Sequence, residues 1–484
     1  MSVALVHYHL RAGGVTRVLE RQSKILDAAG ISHVVLTGTP PENGSQIPFR
    51  TIQGLDYAVA QPRGERASDL LKRMRAAATE VLGHPPRCWH LHNPTLGKNP
   101  HLPQLIAELA ESQVSLVMHI HDLAEEGRPD NYRTLRHNRR TYPIAPQIHY
   151  LTINSKDLTL LRAAGIPSGQ SSLLPNAVPA ANPPAPYPPM DASHPLVLYP
   201  VRGIRRKNLG EFCLISGLAP EPTRFALALP PGTPQPDSSY SQWNTLAREL
   251  RLPVQMGVVG SENPEPGARS SFPDWVQAST HFMTTSIAEG FGLSFLEAVT
   301  LHRPLLGRDL PEITSDFRKH GLDLGSLYDA LFLPRTWIDG KRLRTLIEAH
   351  LQNLYVSCGE SLPCDLADET MDAHFSDRFL DFGKLPEVLQ MEVIPRAIAA
   401  PGEILCREKG RIAPVSEWLP AAMNKPQQDM VEDLSPWSLE TYCHSHMELY
   451  DSLARCRPAK PCWLEPREVL LQYLRPERFH FLRS

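Results

Sequence analysis

Two carboxylates eight residues apart, Glu289 and Glu297, frame a glycine-flanked aromatic in residues 284–299, TTSIAEGFGLSFLEAV. The residues just before, His281-Phe282-Met283-Thr284, read as a buried strand. Gly290 and Gly292 break the pattern around Phe291, and an apolar, helix-competent run follows over 293–299. A strand, a glycine turn and a helix start leave several backbone N–H groups free to face an anion. Glu297 falls about two turns into that helix at 3.6 residues per turn, so one carboxylate can hold a ligand at the turn and the other its far end. Upstream, Arg202 and Lys207 follow an apolar strand pattern over 196–201 with four residues between them. Two fixed cations at the carboxyl end of a strand suit a leaving group that gains negative charge as its bond breaks. Arg205 and Arg206 add charge to the same loop and read as solvated. Two His-x-His strands complete the chemistry-bearing set, His90-Leu91-His92 and His119-Ile120-His121. Alternation places both histidines of each pair on one face. With no bracketing ligand in the pattern they read as buried and hydrogen-bonded, and no metal is expected.

The elements that position these residues follow from periodicity. Residues 3–9 form a strand pattern, Arg11 to Gly14 a glycine turn, and 15–29 an amphipathic helix with Val15, Val18, Leu19, Ile25 and Leu26 on one face, ended by Gly30; 31–37 is a second strand. This βαβ opening starts a doubly wound sheet, whose ligands bind beyond the carboxyl ends of its strands. Gly13-Gly14 falls at that edge. No complete G-x-G-x-x-G occurs, so a nicotinamide site is disfavoured. Strands at 148–153, 196–201, 224–229, 254–259 and 303–307 alternate with helical patterns, including a short one at 272–279. This argues two Rossmann-like α/β domains.

The run EGFGLSFLEA, with Ser286 upstream, resembles the E-x7-E signature of retaining nucleotide-sugar glycosyltransferases of the GT-B fold, family 4 in particular. Other segments resemble the same family in order. Arg202 and Lys207 match its Arg-x4-Lys pair. His121-Asp122 resembles its pre-loop "HD" segment. Pro175-Asn176-Ala177-Val178 is similar to its "PNGV", with alanine for glycine, and Leu310-Pro311-Glu312-Ile313 to its "PEI" turn. The resemblance implies an α/β GT-B fold, two Rossmann-like doubly wound domains facing across a cleft, with a C-terminal extension. It implies a nucleotide diphosphate sugar as donor, bound by Gly13, Gly14, Arg202, Lys207, Glu289, Gly290, Phe291, Gly292 and Glu297. Arg202, Lys207, Glu289 and His121 would be catalytic, with Glu297 on the ribose and Glu289 on the sugar. The loops after the His-x-His strands, through Asn93, Lys98, Asp122 and Arg128, would bind the acceptor. No Asp-x-Asp occurs in the chain, so the two cations replace a metal on the diphosphate, and neither metal nor cofactor is expected. Retention of configuration follows from the resemblance alone. The reading is a hexosyltransferase acting on a small soluble acceptor, an anionic one favoured over a lipid. Another GT-B enzyme (an epimerase or phosphorylase) and a catalytically silent sugar-binding scaffold remain the alternatives.

Composition bounds these readings. The 484 residues suffice for two or three domains, and 42% hydrophobic with 21% charged residues is ordinary for a globular protein. A net charge of −3 gives no case for nucleic acid. No apolar run approaches a membrane span, and the N-terminus reads as a first strand, so a cytoplasmic location is expected; peripheral membrane contact and oligomeric state stay open. The expected organisation is a first domain at 1–178, a proline-rich linker at 179–195, a nucleotide-sugar domain at 196–355, a loop-rich insertion at 356–430, and a helical segment at 431–484 that packs back on the first domain. Six of the eight cysteines follow residue 350, at spacings unlike a zinc site, and read as reduced thiols.

Overall fold

The computed structural model describes residues 1–11, 13–41, 47–57, 66–178, 194–232, 238–259, 271–375, 377–425 and 433–483. All but the last two residues of the expected proline-rich linker lie outside the described residues. The chain divides into two compact units. The first comprises Met1–Pro179, Asn353–Leu362 and Leu434–Arg478; the second comprises Ala180–Gln352, Pro363–Asp433 and Phe479–Ser484.

The first unit is built on a seven-stranded sheet of β1 (Ser2–His9), β2 (Ser32–Thr39), β3 (Phe49–Thr51), β4 (Cys88–His92), β5 (Ser115–Ile120), β7 (Ile148–Thr152) and β8 (Ser171–Leu173), in the order β3-β2-β1-β4-β5-β7-β8 with every pair parallel. A parallel sheet buried on both faces needs near-continuous apolar strands, and SVALVHYH in β1 supplies one. Ala4, Val6 and Tyr8 face one layer with Leu70, Met74, Leu105 and Ile106. Val3 and Leu5 face the other with Val18, Leu19 and Ile25 of the helix Gly14–Ala28, which is joined there by Tyr442, Tyr450 and Leu453 of the helix Leu439–Arg455. On this second face the strands change character along their length. Val3 and Leu5 give way to His7, Cys88 to His90 and His92, and Val117 to His119 and His121, all buried.

The second unit carries a six-stranded sheet of β9 (Leu196–Arg202), β10 (Arg224–Leu229), β11 (Val254–Met256), β12 (His281–Thr284), β13 (Leu305–Arg308) and β14 (Ser326–Tyr328). Its order is β11-β10-β9-β12-β13-β14, again parallel throughout. A four-stranded antiparallel sheet follows in the same unit, β16 (Phe379–Asp381), β15 (Ala330–Pro334), β17 (Leu405–Glu408) and β18 (Arg411–Pro414), in that order. This corrects the expectation of a loop-rich insertion at 356–430. The stretch also holds the helices Leu366–Phe375, Glu387–Ala399 and Val415–Met423. Two of these helices carry a proline inside them, Pro395 and Pro420. The chain's final hairpin partner, β19 (Cys462–Leu464), pairs antiparallel with β6 (Tyr142–Ile144) of the first unit. Residues 479–484 group with the second unit, not the first. Among the described residues no helix is long and apolar enough to cross a membrane.

Candidate functional site

Lys207 closes the loop that follows β9. The loop is a 3-10 turn, Arg205–Lys207, ended by Asn208 at a left-handed φ of +50°. Asn tolerates that region better than most residues, and here its side chain is fixed at both ends. Its amide donates to Glu211 Oε2 at 2.9 Å, and its carbonyl oxygen accepts from Gln390 at 3.1 Å. The loop after β12 is tied to this one. Thr285 Oγ1 donates to the carbonyls of Lys207 and Asn208 at 2.9 and 3.1 Å, and the Ile287 N–H donates to that of Arg206 at 3.0 Å. The buried Tyr199 hydroxyl donates to the Lys207 carbonyl at 3.1 Å and lies 2.7 Å from Ser286 Oγ.

In that frame the Lys207 ammonium is paired with Glu289, the side chains being 8% and 10% exposed, and Arg206 lies 3.7 Å from the other carboxylate oxygen. Burial opposes the charged form of Glu289, but Lys207 and Arg206 outweigh it and hold the carboxyl below its ordinary range. Burial draws the Lys207 ammonium below its ordinary value against the attraction of Glu289. We take the pair as ionised, because each charge is the main compensation for the other. Arg202, at the end of β9, is exposed, and its guanidinium makes no hydrogen bond or ion pair with another described residue. Gly292 opens the helix Leu293–Thr300 at φ +82°, where a Cβ would also lie 2.7 Å from Ile313 Cγ2; conformation and space both require glycine. Phe291 is buried edge-on against Phe317 at 5.8 Å, so only its backbone is available to a ligand. Glu297 sits partly exposed in the second turn of that helix.

The remaining expected site residues belong to the first unit. Gly13 and Gly14 are exposed at the start of the helix Gly14–Ala28. Gly13 is extended, a Cβ on it would meet only Arg11 O at 3.8 Å, and one on Gly14 would meet nothing within 4 Å. The described fold does not itself demand glycine at either position. His121 is buried, with Nε2 3.0 Å from His92 Nδ1, and burial lowers its pKa to about 3. His92 Nε2 in turn lies 2.8 Å from Gln22 Oε1. Asn93 was expected to meet the acceptor; the oxygen of its side chain is committed to the fold. At φ +52° its Oδ1 accepts from the backbone N–H groups of His121 and Asp122, both at 2.8 Å. Arg128 is likewise engaged, donating to Asp122 Oδ1 at 2.5 Å and to the Leu123 carbonyl at 2.6 Å. Lys98 is exposed, its ammonium 5.6 Å above the Tyr57 ring.

Several residues that build the second unit's site carried no sequence signal. Arg308 donates to both Glu211 and Asp381, with four bonds of 2.6 to 2.9 Å, and Tyr328 adds its hydroxyl to Glu211. Glu211 is the residue that fixes Asn208. These partners lie 97 and 73 residues from Arg308 in sequence, beyond any local pattern. Tyr199 read simply as part of the apolar strand over 196–201, although a buried tyrosine hydroxyl needs a partner.

Residues 13–177 match the family model of the glycosyl transferase 4-like domain. The chain is 27% identical over 318 residues to the mannosylglucosyl-3-phosphoglycerate synthase of Petrotoga mobilis; the match covers 62% of this chain and spans 60% of that relative's length. Among solved structures, Anabaena Alr3699/HepE in complex with UDP has the same fold at a TM-score of 0.50 and 13% identity, over 93% of this chain and all of the other. The sucrose-phosphate synthase of Thermosynechococcus elongatus aligns over 94% of this chain and 99% of its own, at 16% identity and a TM-score of 0.47.

Proposed function

We propose that this chain, a member of the GT-B glycosyltransferases of family 4 (group 1), transfers a hexose from a nucleotide diphosphate sugar to a small anionic acceptor. The observation that carries the reading is the Lys207–Glu289 pair, held where the loop after β9 is stitched to the glycine turn after β12, with exposed Arg202 on the same loop. A diphosphate docking there meets one exposed guanidinium, without a partner among the described residues, and an ammonium already fixed by a carboxylate. Such preorganised charge stabilises a leaving group without reorganisation during the reaction. Glu297, farther along the helix, takes the ribose hydroxyls, and Glu289 lies at the sugar end, where an oxocarbenium-like transition state develops charge. The open backbone at Gly13 and Gly14 gives a phosphate or sugar close access to the start of a helix in the first unit. With these cations and no Asp-x-Asp, transfer needs no divalent ion at the diphosphate, and the family resemblance favours retention.

The anionic acceptor rests on two supports. Lys98 presents an exposed cation beside an aromatic ring, and the Petrotoga relative is named for a phosphoglycerate product. A phosphorylated or carboxylated hydroxy acid, or a glycoside of one, is therefore the acceptor class to try first. The test is a calorimetric screen of nucleotide sugars followed by mass analysis of products with such acceptors, with and without added Mg²⁺ or Mn²⁺. A new glycoside plus free nucleotide diphosphate is expected, at a rate that added Mg²⁺ or Mn²⁺ leaves unchanged. Sugar epimerisation or phosphorolysis in place of transfer would replace the reading, and strict dependence on either ion would remove the metal-independent step.

A further inference from the structure

The histidines of the first unit form a cluster that the transfer reaction does not use up. His446 of the helix Leu439–Arg455 lies 5.7 Å, ring to ring, from His90 of β4, and His90 lies 5.2 Å from His119 of β5. All three are fully buried. The sequence pattern lacked a bracketing ligand for the His-x-His strands; the fold supplies one in His446, more than 300 residues away.

The ring nitrogens decide what the cluster can do. His446 Nδ1 lies 2.8 Å from the Tyr442 carbonyl. A carbonyl only accepts, so Nδ1 carries the proton and Nε2 of the neutral ring is a bare lone pair. Among the described residues that buried Nε2 has no hydrogen-bond partner, and the same holds for His119 Nε2. Two orphaned ring nitrogens in one core are unusual, since buried polar atoms are nearly always partnered. His90 Nδ1 lies 2.8 Å from the Tyr450 hydroxyl and 3.1 Å from Gln22 Nε2, while its Nε2 lies 3.0 Å from His119 Nδ1. As it stands that last contact is an N–H···N hydrogen bond, and an ion would replace it, since two imidazole nitrogens on one tetrahedral zinc stand roughly 3.3 Å apart given Zn–N bonds of about 2.0–2.1 Å. His92 and His121 differ. Both His92 nitrogens are engaged, by Gln22 and by His121, so that pair needs no ion.

The geometry points to a buried metal site formed by His90, His119 and His446, of the zinc class. One ligand nitrogen from each lies within 4.8 Å of the others, so a contraction of at most about 1.5 Å brings them to zinc's spacing. Imidazole ligands select zinc or cobalt over magnesium or calcium, which require oxygen. The Tyr442 carbonyl and Tyr450 hydroxyl are the outer partners that metal-bound imidazoles use to fix their orientation. The ion would fasten the helix Leu439–Arg455 to β4 and β5, a structural role separate from transfer.

The test uses the full chain, expressed with zinc in the medium, with any affinity tag removed and no chelator in the buffers. Mass spectrometry of metal content should find about one zinc per chain, in the wild type and in a His444→Ala control, because exposed His444 on the same helix is not a ligand. His119→Gln and His446→Leu should lose it with their circular dichroism unchanged. Chain stripped under mild conditions and loaded with cobalt should show the visible absorption of imidazole-bound Co²⁺. If the variants fail to fold, the wild type decides: zinc raises the melting temperature of the stripped chain if the site exists. A metal-free wild type whose melting temperature zinc does not move overturns the proposal, as does full zinc occupancy in folded His119→Gln.

Discussion

Arg202 and Lys207 share a motif, yet their surroundings separate them. Arg202 is exposed and makes no bond with another described residue, whereas Lys207 is buried against Glu289. Both mutations to alanine should lower turnover by about 10²-fold or more, the scale for losing one preorganised charge stabiliser. Only Lys207→Ala should also lower the melting temperature, because it leaves a buried carboxylate without its cation. Steady-state kinetics beside thermal melts check this. Equal stability of the two variants would mean the pair is not the buried ion pair described. Glu125 makes a different prediction at the same scale. Burial raises its pKa to about 8, against the Tyr142 hydroxyl that donates to Oε1 at 2.9 Å, and the buried Oε2 has no partner among the described residues. The carboxyl of the unfolded chain ionises near its ordinary value of 4.5, while the folded one stays protonated to about pH 8. The unfolded state then binds fewer protons, so stability falls as pH rises through that window. Glu125→Gln should remove this slope of about 1.4 kcal/mol per pH unit. Denaturation at intervals from pH 5 to 8 reads it directly, and parallel pH profiles for wild type and variant would refute the assignment.

The loop that carries Lys207 is only as well placed as the elements behind it. Asn208 holds its left-handed turn through Glu211 and Gln390, and Glu211 is in turn held by Arg308, which also binds Asp381 at the edge of the antiparallel sheet. Arg308→Met keeps the bulk but leaves two buried carboxylates facing each other. It should destabilise the second unit by roughly 3–5 kcal/mol, as breaking a buried ion network from one side does. Urea unfolding followed by tryptophan fluorescence would show it. A loss under about 1 kcal/mol would mean the network is dispensable. This network also marks how far the sequence could be read. The parallel strands and the strand–turn–helix corner at Glu289 were legible, because apolar runs, glycines and helix periodicity are local. The tie between Lys207 and Glu289 spans 82 residues and that between Asn208 and Gln390 spans 182, and no periodicity encodes such pairings. Asn93 shows the same limit in reverse. Its position in a loop suggested a ligand contact, whereas its left-handed φ and two backbone bonds reveal a brace. The stretch at 356–430, expected to be loop-rich, holds helices with interior prolines at 395 and 420, which tertiary packing stabilises regardless of propensity.

At the scale of the whole chain, each unit is assembled from separated segments, and the first depends on residues the family match over 13–177 does not include. The helix Leu439–Arg455 places Tyr442, Tyr450 and Leu453 against Val18, Leu19 and Ile25. Val469 and Tyr473 enter the core on the sheet's other face, where the Tyr473 hydroxyl donates to buried Asp157 at 2.9 Å. β19 covers the edge of β6. Each large apolar side chain buried in this way contributes roughly 1.5–3 kcal/mol. Five or so of them therefore approach the 5–15 kcal/mol by which an ordinary domain is stable at all. A fragment of residues 1–178 should consequently not fold cooperatively by itself, although it contains all seven strands of the first sheet. Its backbone could still pair, but the faces normally covered by the C-terminal segment would remain in water, with Asp157 lacking its Tyr473 donor. Supplying residues 434–478, fused through a flexible linker, should restore a cooperative melt and slow amide exchange in β1, β4 and β5. Hydrogen exchange on the two fragments, with the full chain as reference, makes the comparison. Protection in the isolated 1–178 fragment equal to that in the full chain would show that the returning segment decorates the first unit and does not complete it.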